Sequence, residues 1–218
     1  MTTRRCLTVL FSLILLGLTS IQAQTIELTP IYGYQFGTKL EFGSSYLKIA
    51  DSDEYGLSVG YEVDYGLYLE AAWIHNSTEL LVRDRVFSPN EQRLSDLSAD
   101  WAQLGAVKYF KVDNVRPYFG GGAGLVFLST KDENRDLISR DLDNDTKFFF
   151  AFKGGVQIMF TDLIGLNLQG NLRFPVDWGG FYVGVGSAGA SSGVALESTT
   201  VVGGFSAGLV FKLNGSDE

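Results

Sequence analysis

The only histidine of the chain, His75, stands two residues before Ser77. An imidazole next to a hydroxyl can act as a general base and activate the serine as a nucleophile, provided that a third group orients the histidine. Glu79, Asp84 and Glu91 are the nearby carboxylates that could take this third role. The alternative is that both residues form the polar end of a strand. We favour this structural interpretation, because spacing alone does not establish catalytic geometry.

Two further stretches match binding motifs only in part. Residues 184–189 have the glycine spacing of a dinucleotide loop, but no helix pattern follows to bind a phosphate. Residues 141–145 begin like a calcium loop, but Thr146 replaces the glycine of its sharp turn and Phe152 the closing glutamate. We therefore predict no catalytic residue, no cofactor and no metal site.

The first 23 residues have the parts of a secretory signal peptide: two arginines, an apolar run and a small-residue cleavage site after Ala23. The run is shorter than the roughly 20 residues that a membrane-spanning helix needs. Its removal leaves no cysteine, and 15 Lys and Arg against 25 Asp and Glu, for a formal charge of −10. Such an acidic chain does not suit nucleic acid. We predict a signal peptide, 1–23, and one domain, 24–218.

Residues 147–174 show the alternation of β-strands most clearly. Apolar side chains share one face: Phe148, Phe150, Phe152, Val156, Ile158 and Phe160. Small and polar side chains share the other: Lys147, Ala151, Lys153, Gly155 and Gln157. The same period predicts eight strands near 26–36, 54–63, 67–80, 97–110, 116–127, 147–160, 166–174 and 199–213. In the fourth strand the inward set stays open, because Trp101 and Leu104 differ in parity and would share a face only across a bulge.

The connections between these strands alternate in length. Short turns fall near 64, 113 and 162, and long, polar connections span 37–53, 83–96, 129–145 and 176–197. This rhythm predicts an all-β, eight-stranded, antiparallel, up-and-down transmembrane barrel. Its short turns would face the periplasm, and its four long loops the outside.

The polar face of the strands indicates which way the barrel is turned. It carries small residues and a few charges of both signs, which suit the narrow interior of an eight-stranded barrel better than a surface in water. Buried charges need partners, so we predict one interior network of three acids and four bases: Glu27, Glu62, Glu70, Arg116, Lys153, Arg173 and Lys212. The apolar face would then contact lipid.

Three stretches resemble the small outer-membrane β-barrel proteins related to the transmembrane domain of OmpA and to OmpX. They are the YGLSVGY run at 55–61, the RPYFGGGAG run at 116–124 and the GLVF run at 208–211. The resemblance implies a bacterial outer-membrane location, insertion by the barrel-insertion machinery, contact with outer-membrane lipid and lipopolysaccharide, and a non-enzymatic role in envelope integrity or adhesion. The chain departs from many such proteins by continuing past Phe211.

Three other functions stay open. The spacing of His75 and Ser77 resembles the His-x-Ser of lipid A deacylase barrels, which implies a lipid A-modifying hydrolase. A narrow channel is a second alternative, and a soluble, lipocalin-like periplasmic binder is a third. The acidic stretch 141–145 would be suited to weak divalent-ion bridging to lipopolysaccharide. The sequence does not identify an external ligand or an oligomeric state.

Overall fold

The computed structural model describes residues 25–42, 45–84, 88–110, 114–132, 134, 144–186, 189–197 and 201–213. These residues form eleven strands: β1 (Ile26–Gln35), β2 (Thr38–Phe42), β3 (Ser45–Ile49), β4 (Ser52–Asp64), β5 (Leu67–Asp84), β6 (Ser88–Tyr109), β7 (Val115–Lys131), β8 (Asp145–Met159), β9 (Ile164–Gly186), β10 (Gly189–Glu197) and β11 (Val202–Leu213). Within these ranges no helix is both long and apolar enough to cross a membrane.

Eight of the strands close into a ring. Each of β1, β4, β5, β6, β7, β8, β9 and β11 pairs antiparallel with its two neighbours. The ring closes between the first and last strands, where Ile26 lies opposite Leu213 and Gln35 opposite Gly204. Closure pairs the backbone groups that an open sheet edge would expose to lipid. The predicted eight-stranded antiparallel barrel is confirmed.

Three of the four predicted long loops, 37–53, 83–96 and 176–197, are largely strand where the structure describes them, which corrects the sequence-based boundaries. β5 and β6 stay paired as far as Asp84 and Ser88, so most of the segment 83–96 belongs to the barrel wall. The segment 176–197 contains the end of β9 and all of β10, and β2 and β3 form a hairpin that joins the edge of β5. These extensions lie beyond the apolar belt. There the strands stay paired through their backbones, but apolar and polar residues no longer alternate along the sequence.

Most outward-facing side chains in the middle of the barrel wall are apolar. Phe150, Leu168 and Leu209 are 49%, 42% and 49% exposed, whereas Lys153 and Arg173 point into the lumen. A soluble barrel would show the reverse arrangement, with its apolar face converging on the centre. The apolar face of this barrel therefore contacts lipid.

β6 alternates regularly through the residues that the sequence left open. Trp101 is buried in the lumen and Leu104 lies on the lipid face, so the two residues need no bulge between them. A register shift does occur in this strand pair, but it lies further along, where Leu80 pairs with Ser95 and Leu81 with Arg93.

The short turn between β4 and β5 requires glycine. Gly66 has a φ of 69°, and an added Cβ would lie 2.9 Å from the carbonyl oxygen of Tyr109. The Gly66 carbonyl accepts a hydrogen bond of 2.7 Å from the Tyr109 amide, which ties this turn to β6. The turn thus helps to set the register of the strands that carry the sites described below.

Candidate functional site

The end of the lumen nearest the short turns holds a hydrogen-bonded cluster around Arg116. Its Nη1 lies 2.7 Å from Glu27 Oε1 and donates a bond of 3.0 Å to the amide oxygen of Gln157. Gln157 in turn donates to Glu27 at 3.1 Å and to the Tyr109 hydroxyl at 2.9 Å. The guanidinium also stacks over the Tyr109 ring, with 4.3 Å between the Arg116 Cζ and the ring centroid.

Two more predicted residues join this cluster at its edge. Lys212 Nζ lies 3.6 Å from Glu27 Oε1, so one carboxylate faces two cations. Glu62 is linked indirectly: it accepts a bond of 3.0 Å from the Tyr68 hydroxyl, which accepts a bond of 3.4 Å from Arg116. Glu62 also accepts a bond of 3.0 Å from the Gly66 amide.

The middle of the lumen contains a second ion pair, between Lys153 and Glu70. The Glu70 side chain is buried, and the Lys153 side chain is 11% exposed. Beside them the Tyr118 hydroxyl donates to Asn167 at 2.8 Å and lies 2.9 Å from Gln169 Oε1. The two charges thus neutralise each other, and the neighbouring amides share hydrogen bonds with Tyr118, as the low dielectric of a filled barrel requires.

The third ion pair lies nearest the long connections and includes a residue absent from the predicted network. Arg173 Nη1 lies 2.8 Å from Glu54 Oε2, and Asn171 donates to the other carboxylate oxygen at 3.2 Å. Arg173 also lies 3.4 Å from the Gln35 side-chain oxygen. Glu54 shares the inward parity of Gly60 and Glu62, so strand alternation could have identified it. With Glu54 included, four acids balance four bases.

Above the third ion pair the described lumen becomes apolar. Trp101 packs edge-on against Phe149, with 4.9 Å between the ring centroids, and its indole donates to Asn76 at 2.9 Å. This apolar cap also includes Ala99, Val126 and Val202, and it continues beside the ion pair through Ile31, Ile74 and Ala151, which line a small cavity together with Arg173. Two cavities within the described lumen have volumes of about 20 and 10 Å³. Each has room for about one water molecule.

A larger cavity of about 500 Å³ opens at the end with the short turns. It is lined by Glu62, Tyr68, Arg116 and Lys212 together with residues of the turns. Arg116 lines both this cavity and the packed cluster above it. The cavity is therefore a shallow vestibule that ends at the first ion pair.

On the outer wall, His75 lies between a carboxylate and a hydroxyl. Its Nδ1 is 2.9 Å from Asp100 Oδ1, and its Nε2 is 3.2 Å from Ser77 Oγ. Asp100 was not among the predicted partners of the histidine. Of those, Glu79 lies 3.9 Å from Arg93, and Glu91 accepts a bond of 2.7 Å from Tyr46.

The glycine-rich and acidic motifs of the sequence form no binding site in the part of the chain that the structure describes. Gly184 and Gly186 end β9 and Gly189 begins β10, so the glycine-rich stretch belongs to a β-hairpin. The acidic residues 141–143 lie outside the described residues. Where side chains are described, no three His, Cys, Asp or Glu residues are grouped to hold a metal ion.

Comparison with known proteins assigns a family to this barrel. The family model described as "Outer membrane protein beta-barrel domain" matches residues 11–173, which is most of the chain. The chain belongs to this family. Its members and the lipid-facing exterior locate the protein in the bacterial outer membrane. The predicted signal peptide lies outside the described residues and stays a prediction.

Solved structures of the same fold include OprG from Pseudomonas aeruginosa, with a TM-score of 0.63 at 12% identity, covering 88% of this chain and 97% of that one. Neisserial surface protein A has a TM-score of 0.56 at 13% identity, covering 88% and 100%. The attachment invasion locus protein Ail of Yersinia pestis, in complex with the heparin analogue sucrose octasulfate, has a TM-score of 0.51 at 11% identity, covering 88% and 100%. At these identities the likeness concerns the fold alone. A search of curated proteins gave no match.

Proposed function

We propose that this family member is a sealed outer-membrane barrel that serves envelope integrity or surface interaction and neither conducts solutes nor catalyses a reaction in its lumen. The proposal rests on the lumen, which side chains fill almost completely where it is described. Three layers of ion pairs and an apolar cap fill the described lumen, where the cavities between the layers have volumes of about 20 and 10 Å³. A hydrated ion needs a continuous water path, and such cavities do not supply one.

The extended walls are the part of the molecule that is available to partners. β5, β6 and β9 contain 18, 22 and 23 residues, whereas a transmembrane strand needs roughly 9–11. The four segments 37–53, 83–96, 129–145 and 176–197 together contain 14 Asp and Glu against 8 Lys and Arg. An anionic ligand of the kind bound to Ail would be repelled, so we expect a neutral or cationic partner, or divalent cations shared with lipopolysaccharide.

Planar-bilayer recording tests the sealed lumen. The purified barrel should give no single-channel steps in a membrane where a general porin, reconstituted in parallel, gives regular steps. Reproducible steps from the barrel would overturn the proposal and favour the narrow channel.

A loop-shortened variant tests the role of the extended walls. Replacing residues 82–92 by a two-residue turn removes the far end of the β5–β6 hairpin and leaves the ion pairs of the lumen in place. Cells carrying this variant should lose resistance to detergent or adherence to host surfaces, while the barrel keeps its heat-modifiable migration on gels. Unchanged resistance and adherence would argue against a function in this hairpin.

A further inference from the structure

Two neighbouring cross-strand pairs bring four polar side chains together on the lipid-facing side of β5 and β6. His75 lies opposite Asp100, and Ser77 lies opposite Ser98. His75 and Ser77 share a face because they are two residues apart in one strand. Residues directly opposite each other in an antiparallel pair have their side chains within contact distance. The register of β5 with β6 therefore creates this cluster.

The cluster has the order of a nucleophile, a base and an orienting carboxylate. Asp100 Oδ1 lies 2.9 Å from His75 Nδ1, which fixes the ring and favours the tautomer with its proton on Nδ1. In that tautomer Nε2 is the acceptor, and it lies 3.2 Å from the Ser77 hydroxyl oxygen. The Ser98 hydroxyl is 3.3 Å from Ser77 Oγ and supplies a hydrogen-bond donor next to the nucleophile. This is the arrangement that activates serine for acyl transfer.

The cluster lies at the upper edge of the apolar belt. Below and beside it, His75 contacts the rings of Trp73 and Tyr55, with centroid distances of 6.2 and 5.2 Å. Above it the wall becomes charged, with Arg93 lying 2.5 Å from Asp96 and 3.9 Å from Glu79. Aromatic residues at this position mark the boundary between hydrocarbon and headgroups. The ester bonds of membrane lipids lie at that boundary.

We propose that His75, Ser77 and Asp100 form an acyl-ester hydrolase site on the outer wall, with the fatty acyl esters of outer-leaflet lipids as its substrate class. Ser77 Oγ attacks the ester carbonyl carbon while its proton passes to His75 Nε2. The tetrahedral intermediate then expels the alcohol, which takes that proton, and leaves an acyl-serine. Water, deprotonated by His75, releases the fatty acid and restores Ser77. Asp100 acts as a positioning residue throughout.

This activity goes beyond the sealed-barrel function and does not depend on it. None of the three side chains, His75, Ser77 and Asp100, points into the lumen. His75 and Ser77 share the outward parity of Trp73, and Asp100 lies opposite His75 on the same face. A barrel that proves to conduct would leave the outer-wall site untouched. An inert cluster would leave the sealed lumen equally intact.

A serine-directed fluorophosphonate probe tests the nucleophile directly. The full-length barrel, refolded in detergent micelles, should be labelled at Ser77, with the position read by mass spectrometry. His75→Asn should slow labelling by about 100-fold or more, since a general base contributes roughly 10²–10⁴-fold. Asp100→Asn should slow it substantially, and Asp100→Glu should restore part of the rate. Ser58→Ala, which removes a serine of β4 that lines a small cavity in the lumen, serves as the control and should label normally.

Two lipid substrates identify the source of the ester. Phosphatidylglycerol vesicles and lipopolysaccharide micelles are each incubated with wild type and with Ser77→Ala, and released fatty acid is measured. Release from either lipid that Ser77→Ala abolishes supports the site and names its substrate. Heat-modifiable migration shows that every variant is folded. Absence of both labelling and fatty-acid release in the folded wild type, or labelling that His75→Asn leaves unchanged, would overturn the proposal.

Discussion

Arg173 and Glu54 form an ion pair of 2.8 Å in which the two side chains are 1% and 0% exposed. The two residues lie on β9 and β4, which do not pair with each other, so the contact crosses the lumen. The Asn171 amide donates to the other oxygen of the Glu54 carboxylate, and the Arg173 Cζ lies 5.1 Å from the centroid of the Trp101 ring. The pair therefore links distant parts of the wall directly beneath the apolar cap.

Replacement of Arg173 by leucine should destabilise the barrel by about 3–5 kcal/mol, because it leaves Glu54 buried without a cation. Equilibrium urea unfolding in lipid vesicles measures this loss. The control is Arg93→Leu, which breaks a surface pair with Asp96 whose side chains are 43% and 42% exposed. That variant should lose about 1 kcal/mol or less. Equal losses of unfolding free energy in the two variants would show that the buried pair stabilises the barrel no more than the surface pair does.

Phe149 and Phe150 are adjacent in sequence but face opposite sides of the wall, at 0% and 49% exposure. Phe149→Ala should cost about 3–5 kcal/mol, since it opens a cavity in the apolar cap against Trp101. Phe150→Ala should cost clearly less, because lipid chains fill the space that the ring leaves. The same unfolding experiment compares the two variants. A larger loss for Phe150→Ala would reverse the assignment of the faces.

A lysine in place of Leu168 would place a charge near the middle of the lipid belt. We expect a loss of about 2–4 kcal/mol, falling to about 0–1 kcal/mol for Tyr65→Lys in the exposed turn between β4 and β5. Unfolding in vesicles and the yield of inserted barrel both report the difference. If Leu168→Lys is tolerated as well as Tyr65→Lys, the wall at Leu168 meets water.

The orientation of the barrel can be tested by cysteine labelling, since the chain's own cysteine, Cys6, lies in the predicted signal peptide. Gln92→Cys, near the tip of the β5–β6 hairpin, should react with a membrane-impermeant maleimide in intact cells. Asp162→Cys, in the short turn between β8 and β9, should react only after lysis. The opposite pattern would show an inverted barrel.

The alternation of side chains made the wall predictable from sequence. Phe150, Lys153, Leu168 and Arg173 each face the side that their parity indicates, because the two-residue period of a strand is a local property of the backbone. The short turns and the number of barrel strands followed from the same pattern. In the outer part of β6 and in β10 the pattern fails, since no lipid selects apolar residues there.

The sequence by itself determined the class of the protein, its lipid-facing surface and most of its inward charges. The tertiary structure alone decided which charges meet. Arg173 finds Glu54, and His75 finds Asp100 rather than a carboxylate closer along the chain, because these contacts depend on strand register and on closure of the ring. Register and closure are set by many strands together, and no single stretch of residues encodes them.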